Sequence, residues 1–355
     1  NRHLLHKINA LIIDDEADSA SLNSLVHDCD ESAIYKEIKK LRNSLPRHSL
    51  LQYTATPQSI LLTSRNDHYS PEWVRIISPG DKYIGTQDLF SKNSLSSIKI
   101  PNNEIFSRQA RRIENLPSSF YKALRVYLLT AAQSYLTPEK FGKKISMMIH
   151  PAREVGMHQI WGSHIKANIE DWKQIINMQG PDVYKDIHRE EFISDFKELK
   201  KTNLNKGLAD FKDLYDLVPT VLKTLLVTTL NADSKNENSR KRVSWKSSKF
   251  HILIGGDLLD RGFVVKGLVT TYMPRSAGVG NSDTIQQRGR FYGYKKDHLG
   301  FIRTWLNADT ERAFKSYANT EKDLYEKLNN FSMKDPPEPL KNWIRSMILD
   351  PSLKP

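Results

Sequence analysis

Four acids in five positions follow the apolar run at residues 10–13: Asp14, Asp15, Glu16 and Asp18. A carboxylate at the end of a strand can hold Mg²⁺ through water, and a second acid beside it can polarise an attacking water. Asp15 is the candidate for the first role and Glu16 for the second. The same cluster also suits a helix N-terminus, where acids cap the helix and complement its dipole. Thr54 and Thr56, in Thr54-Ala55-Thr56-Pro57, close the next apolar run. Two hydroxyls on a strand-end turn can hydrogen-bond the carboxylates of an adjacent strand end and relay their state. Ordinary Ser/Thr turn capping is the alternative.

A second constellation lies far down the chain. The apolar residues 250–254 run into Gly255-Gly256-Asp257 and then Arg261-Gly262, and a later run reads Gln286-Gln287-Arg288-Gly289-Arg290. Glycine lets backbone approach a phosphate, and Arg261 can tie the loop to an acid or a phosphate. Gln286 and Arg290, spaced i, i+4, share one face of a helix. From a second domain Arg290 can reach a γ-phosphate as an arginine finger. Asp257, Arg261, Gly262 and Gln286 are therefore candidates for nucleotide contact and Arg290 for charge stabilisation. Structural ion pairs are the alternative for each arginine.

Strands alternating with helices must position these residues, which argues for an α/β fold. Residues 11–13 read as a short, fully buried strand. Helix is expected at 34–45, strand at 49–53 and a third strand at 73–77. Polarity rises between 93 and 117, so a connector is expected there. Residues 118–135 read as an amphipathic helix with Phe120, Leu124, Tyr127, Leu128 and Ala131 on one face. A second domain then begins with a strand at 144–149 and a helix at 158–178. A charge-rich helical insertion covers 182–217, and 220–230 is compatible with strand or helix. Strands at 250–254, 268–272 and 299–305 precede a closing helix at 310–328. Three prolines between 335 and 339 break the pattern.

The 355 residues suffice for two domains with proper cores. No run approaches the roughly 18 apolar residues of a membrane span, and no signal peptide opens the chain. The single cysteine, Cys29, excludes an intrachain disulfide and a cysteine zinc cluster, which suits a reducing cytoplasm. Fifty-three basic against 41 acidic residues leave a net charge of +12, which favours a polyanionic partner. Residues 233–249 carry six basic and two acidic residues with Trp245, either a DNA-contacting loop or a solvated insertion. Arg108, Arg111 and Arg112 have the same two readings. Trp73, Trp161, Trp172, Trp305 and Trp343 are expected in the core. His150, His158 and His164 have no acid or cysteine at metal spacing and are expected in non-catalytic roles. The chain opens on Asn1 and reaches its catalytic strand almost at once, so it is expected to be part of something longer.

The ordered set Asp-Glu-Ala-Asp, Thr-Ala-Thr-Pro, Asp-x-x-x-Arg-Gly and Gln-x-x-Gly-Arg resembles motifs two, three, five and six of superfamily-two helicases and translocases. More closely, the second half resembles the prokaryotic Z-one domain family of helicase-like ATPases. Gly255-Gly256-Asp257, Arg261-Gly262, Gly267-Leu268, Asp283-Thr284 and Gly289-Arg290-Phe291-Tyr292-Gly293-Tyr294 carry that likeness. The Ile84-Gly85-x-x-x-Leu89-Phe90 stretch and Met148-Ile149-His150 add to it. Three departures stand out. No Gly-Lys-Ser/Thr phosphate loop occurs in the chain, so phosphate binding by these residues alone is expected to be feeble. The last arginine of the helicase pattern falls on Gly293, leaving Arg290 alone or helped by Lys295 or Lys296. Val264 stands where an acid would contact ribose.

The resemblance implies two RecA-like parallel-sheet domains, the first incomplete at its N-terminus, with helical insertions. On that reading 1–117 is the C-terminal half of the first domain and 118–142 a helical connector. The second domain spans 143–332, with an insertion at about 180–217, and 333–355 is a linker or the start of a following region. It also implies a cytoplasmic, ATP- and Mg²⁺-dependent DNA motor of a restriction or phage-defence system, coupled to a nuclease domain or subunit. Contact would be mainly with the phosphate backbone. Thr54 and Thr56 would couple hydrolysis to motion. A non-hydrolysing DNA-binding scaffold is the alternative. A metal nuclease built on the acid cluster is disfavoured, because no Glu-x-Lys follows on the strand at 49–53.

Overall fold

The computed structural model describes residues 8–18, 21–23, 30–64, 66–91, 94–105, 115–152, 154–201, 207–230, 243–256, 264–275, 292–332, 334 and 339–340. Its elements begin with β1 (Ala10–Asp15), α1 (Ala33–Ser44), β2 (His48–Tyr53), α2 (Gln58–Leu61), β3 (Tyr83–Ile84), α3 (Thr86–Phe90) and β4 (Ser97–Lys99). Then come α4 (Ser118–Leu136), β5 (Ile145–Ile149), α5 (Val155–Met178), α6 (Pro181–Lys200), α7 (Phe211–Thr224) and β6 (Leu226–Leu230). The last are β7 (Phe250–Gly255), β8 (Leu268–Met273), β9 (Gly293–Tyr294), β10 (Arg303–Leu306) and α8 (Ala308–Ser332). Described residues up to Ser78 and from Thr320 onward form one compact unit, and those from Pro79 to Asn319 form another.

In the first unit β1 and β2 pair in parallel, with Ile12 beside Leu50 and Asp14 beside Gln52. Both strands alternate in burial, and Leu11 and Ile13 are 61% and 59% exposed. The expectation of a fully buried first strand is thus overturned: only the Ile12 face is covered in this unit. Residues 73–77 are no strand either. They carry no regular secondary structure, and the Ile76 N–H is taken by the Ser332 hydroxyl at 2.8 Å instead of a neighbouring strand. Val74 and Ile76 pack on Leu61, Leu324 and Leu328, while Trp73 is about half exposed and not a core residue.

The second unit is built on a six-stranded, all-parallel sheet in the order β4-β10-β8-β5-β7-β6. Every residue of β5, β7, β8 and β10 is buried, as expected where both faces of a parallel sheet are covered. Helix α4 is buried nearly all round rather than on one stripe, so it lies inside the unit. Phe120 meets Trp161 and Tyr272 edge-on at 5.5 and 5.4 Å. Trp172 and Trp305 also lie in this core, whereas Trp343 falls outside the described residues.

Three local expectations change. Ser97–Lys99, read as connector, is an edge strand paired with β10. Residues 220–230 are both helix and strand, α7 passing into β6 at Leu225. Residues 299–305 begin as a 3₁₀ turn (Lys296–Phe301) before β10.

Glycine is required at two places. Gly267, with φ +65°, enters β8 so close to β5 that a Cβ would lie 1.7 Å from the Lys144 carbonyl oxygen. Gly293, with φ +62°, pairs with Ile84 in the short antiparallel β3–β9 ladder, a conformation that favours glycine over any side chain. Tyr292 beside it is buried and bridges the Thr271 and Thr304 hydroxyls at 3.0 and 2.8 Å, its phenol pushed up to about 12 chiefly by burial. Tyr294 packs edge-on against Tyr83 at 5.5 Å. Tyr292, Gly293 and Tyr294 thus have structural roles, and Gly293 and Tyr294 fasten the Ile84-Gly85 stretch to the rest of the unit.

Candidate functional site

At the carboxyl end of β1 the chain turns sharply. Glu16 adopts a left-handed backbone, φ 56°, and its N–H caps the Asp15 carboxylate at 3.0 Å. The next N–H, of Ala17, donates to the Tyr53 carbonyl at 3.0 Å and pulls the loop back over the end of β2. That places the Asp18 carboxylate against the Thr54-Ala55-Thr56-Pro57 turn. The Thr54 hydroxyl donates to one Asp18 oxygen at 2.6 Å, and the Thr56 hydroxyl donates to the other. The Thr56 N–H closes the network on the Thr54 hydroxyl at 2.8 Å.

Asp18 and Thr56 are buried, whereas Asp15 and Glu16 are exposed. The structure thus brings Thr54 and Thr56 to an acid of the cluster, but to Asp18 rather than to Asp15 or Glu16. Asp14 points the other way, its Oδ1 accepting the Ser21 hydroxyl at 2.7 Å. Asp18 was legible as the last acid of the run; its particular partners were not.

Among the described residues no three acids, histidines or cysteines converge on a metal position. The acid cluster fits Mg²⁺ in a narrower sense. Asp15 is exposed and, among the described residues, bonded only to a backbone N–H, which would suit an ion that keeps several waters and shares its remaining positions with phosphates. The acids carry no cradle for the phosphates themselves, since the chain has no Gly-Lys-Ser/Thr loop.

In the second unit several polar residues follow the carboxyl ends of the central strands. The chain passes from β7 on one side of β5 to β8 on the other, so the topological switch point falls at β5, where open α/β sheets bind ligands. His150 follows β5, Gly255-Gly256 ends β7, Arg275 follows β8 and Asn307 follows β10. The Ala152 carbonyl accepts from His158 at 2.9 Å and from the Arg275 guanidinium at 3.5 Å. Asn307 donates to the Pro274 carbonyl at 3.1 Å and caps α8 through the Thr310 N–H at 2.7 Å. Arg275 and Asn307 escaped notice in the sequence, although Asn307 directly follows the buried strand β10 and Arg275 comes two residues after the buried strand β8.

Asp257, Arg261, Gly262, Gln286 and Arg290 lie outside the described residues, as do Arg108, Arg111 and Arg112. Lys295, considered as a helper of Arg290, is engaged at the opposite edge. Its ammonium donates to the Val265 and Leu268 carbonyls, both at 3.4 Å, at the amino end of β8. His150 and His158 are buried, and His164 is half-buried.

Residues 119–346 match the sequence profile of the Z1 domain, which spans well over half of the chain. The chain belongs to the Z1 domain family. It is a family distantly related to helicase-type ATPases, and the α/β architecture of this Z1 chain, with its large parallel sheet, is consistent with that relationship. No curated protein matches the chain. No helix among the described residues is long and apolar enough to cross a membrane.

Proposed function

We propose that this Z1 chain is part of an ATP-dependent DNA motor, a translocase or helicase-like ATPase of a prokaryotic restriction or defence system that works with a nuclease. The observation that carries this reading is the Asp18 carboxylate held by both the Thr54 and Thr56 hydroxyls beside an exposed Asp15-Glu16 pair. Such a network can sense the state of the acid loop and pass it to the turn after β2. Asp15 would hold Mg²⁺ through water, and Glu16 would orient the attacking water. Bound with ATP, Mg²⁺ would neutralise charge developing on the transferring phosphoryl group.

The β1–β2 ladder would belong to one RecA-like domain and the six-stranded sheet to a second. Within that second domain Asp257, Arg261 and Gly262 would shape the facing loop, and Arg290, aided by Gln286, would stabilise phosphoryl charge. DNA would be gripped mainly by its backbone. The reading requires a phosphate loop from outside these 355 residues, because none lies within them. That lack favours one rival, a non-hydrolysing DNA-binding scaffold that keeps the motor fold.

ATP turnover by the complete parent protein, with and without DNA, separates the two. DNA-stimulated hydrolysis abolished by Glu16→Gln is the expected result. An intact parent that binds DNA but never hydrolyses ATP would leave the scaffold as the better account.

A further inference from the structure

We propose that the amino edge of the six-stranded sheet, opposite the candidate nucleotide edge, is a docking surface for the phosphate backbone of duplex DNA. That the anion is DNA rests on the function proposed above; the surface rests on its own geometry. Four neighbouring strands begin beside lysines: Lys295 and Lys266 at β8, Lys144 at β5, Lys249 at β7 and Lys223 at β6. The Ile145 N–H donates to the Lys249 carbonyl at 2.9 Å and the Ser146 N–H to the Gly267 carbonyl at 2.7 Å, so these strand starts lie side by side. At about 4.8 Å per strand the row spans roughly 14 Å. At about 3.4 Å of helix axis per phosphate, that matches some four phosphates of one DNA strand.

None of these lysines is ion-paired among the described residues. Lys144, Lys249 and Lys295 donate instead to backbone carbonyls, of Ser248 at 2.6 Å, of Ser134 at 2.9 Å, and of Val265 and Leu268. Each ammonium has three protons and therefore keeps donors for an arriving anion. Among the described residues that run directly into these strands and β10, the acids are Glu139 and Asp297, the latter held by Lys82 at 2.9 Å; Asp233 and Glu237, farther ahead of β7, lie outside the described residues. Burial lowers both Lys249 and Lys295 with no acid to compensate, so the fold bears a desolvation cost that an anion at this edge would relieve.

The nearby rings favour a duplex over a single strand. Lys266 lies 5.8 Å from the Trp245 ring centre, and Lys249 lies 4.7 Å from that of Tyr135. Faces covered by lysines are poor platforms for stacking splayed bases.

The test is fluorescence anisotropy of a labelled mixed-sequence DNA duplex against this chain, titrated with KCl. Lys143 and Lys246, in the segments running into β5 and β7, are exposed like Lys266 and belong to the same edge, and the three are changed together as Lys143→Glu, Lys246→Glu and Lys266→Glu. The control combines Lys166→Glu, Lys197→Glu and Lys212→Glu, exposed on helices, with the same change in net charge. Counterion release predicts that the edge variant loses up to about 2.7 from the slope of log affinity against log salt, about 0.9 per contact. Its affinity should fall tenfold or more, with the control much less affected. Equal weakening in both variants, or an unchanged slope in the edge variant, would overturn the proposal while leaving the motor reading intact. Equally tight binding of poly-glutamate would overturn the assignment to nucleic acid. Absence of DNA binding by the wild-type chain at low salt would remove the proposal, and hydrolysis by the parent would then still be judged on its own assay.

Discussion

Gly267 and Gly293 share a left-handed backbone, φ +65° and +62°, but not a neighbourhood. An alanine Cβ at 293 would meet nothing within 4 Å, whereas at 267 it would lie 1.7 Å from the Lys144 oxygen and 2.9 Å from the Ile145 nitrogen. Gly293→Ala therefore reports the conformational cost alone. A non-glycine residue in that region costs roughly 1–2 kcal/mol, offset by about 0.4–1 kcal/mol from a stiffer unfolded chain. The net loss should be about 1 kcal/mol. Gly267→Ala adds an overlap that cannot be relieved by rotating a side chain, because both atoms it strikes are backbone. Moving them strains the bonds Ile145 N–H to Lys249 and Ser146 N–H to Gly267 that hold β7, β5 and β8 in register. Overpacking of this kind costs about 1–3 kcal/mol, and each weakened bond about 1 kcal/mol more. The expected total is about 4–6 kcal/mol, as only one of two otherwise matched positions is crowded. Urea unfolding followed through the buried Trp161 and Trp305 reads both variants. Losses within about 1 kcal/mol of each other would refute the assignment of Gly267 to close strand approach.

Two further outcomes follow from the polar groups. Asp18→Asn removes the charged acceptor of the Thr54 and Thr56 hydroxyls and should cost about 1–3 kcal/mol in urea unfolding, whereas Thr54→Ser, which keeps a donor, should cost much less; equal losses would count against the network. Burial lowers Lys295 from 10.5 to about 8, so below pH 8 both folded and unfolded chains hold the proton and the native state bears the full penalty. Between about 8 and 10.5 only the unfolded chain stays protonated, and stability rises with pH. Lys295→Met should therefore stabilise the fold at neutral pH by about 1–2 kcal/mol. This is the roughly 3 kcal/mol of the shift less the two long carbonyl bonds and residual solvent screening. The advantage should vanish by about pH 10.5 in urea titrations across that range, and a constant advantage would sink the desolvation account.

The central strands were legible because uninterrupted apolar runs need two covered faces, and β5, β7 and β8 have them. The same pattern misled at β1, where coverage depends on layers that no local run of residues reveals. β4 offers only Ser97-Ile98-Lys99, too short to display a period, and its partner Trp305 lies more than 200 positions away. Residues 73–77 do alternate, with Val74 and Ile76 inward, but alternation does not say where the backbone N–H groups go.

The acid run illustrates the same limit at the scale of a site. Proximity of the two motifs was legible, since consecutive parallel strands end side by side. The division of labour was not, because it depends on one backbone conformation. The left-handed turn at Glu16 and the Ala17 bond to Tyr53 carry Asp18 inward to the threonines, while Asp15 and Glu16 stay exposed. One short run of acids is thus divided between two kinds of environment. The outer pair keeps free carboxylate oxygens for ions and water, and the inner acid has its oxygens committed to hydroxyls across the strand ends. A perturbation of the outer pair can reach β2 through the Ala17 N–H bonded to the Tyr53 carbonyl and through the Asp18 carboxylate bonded to Thr54 and Thr56.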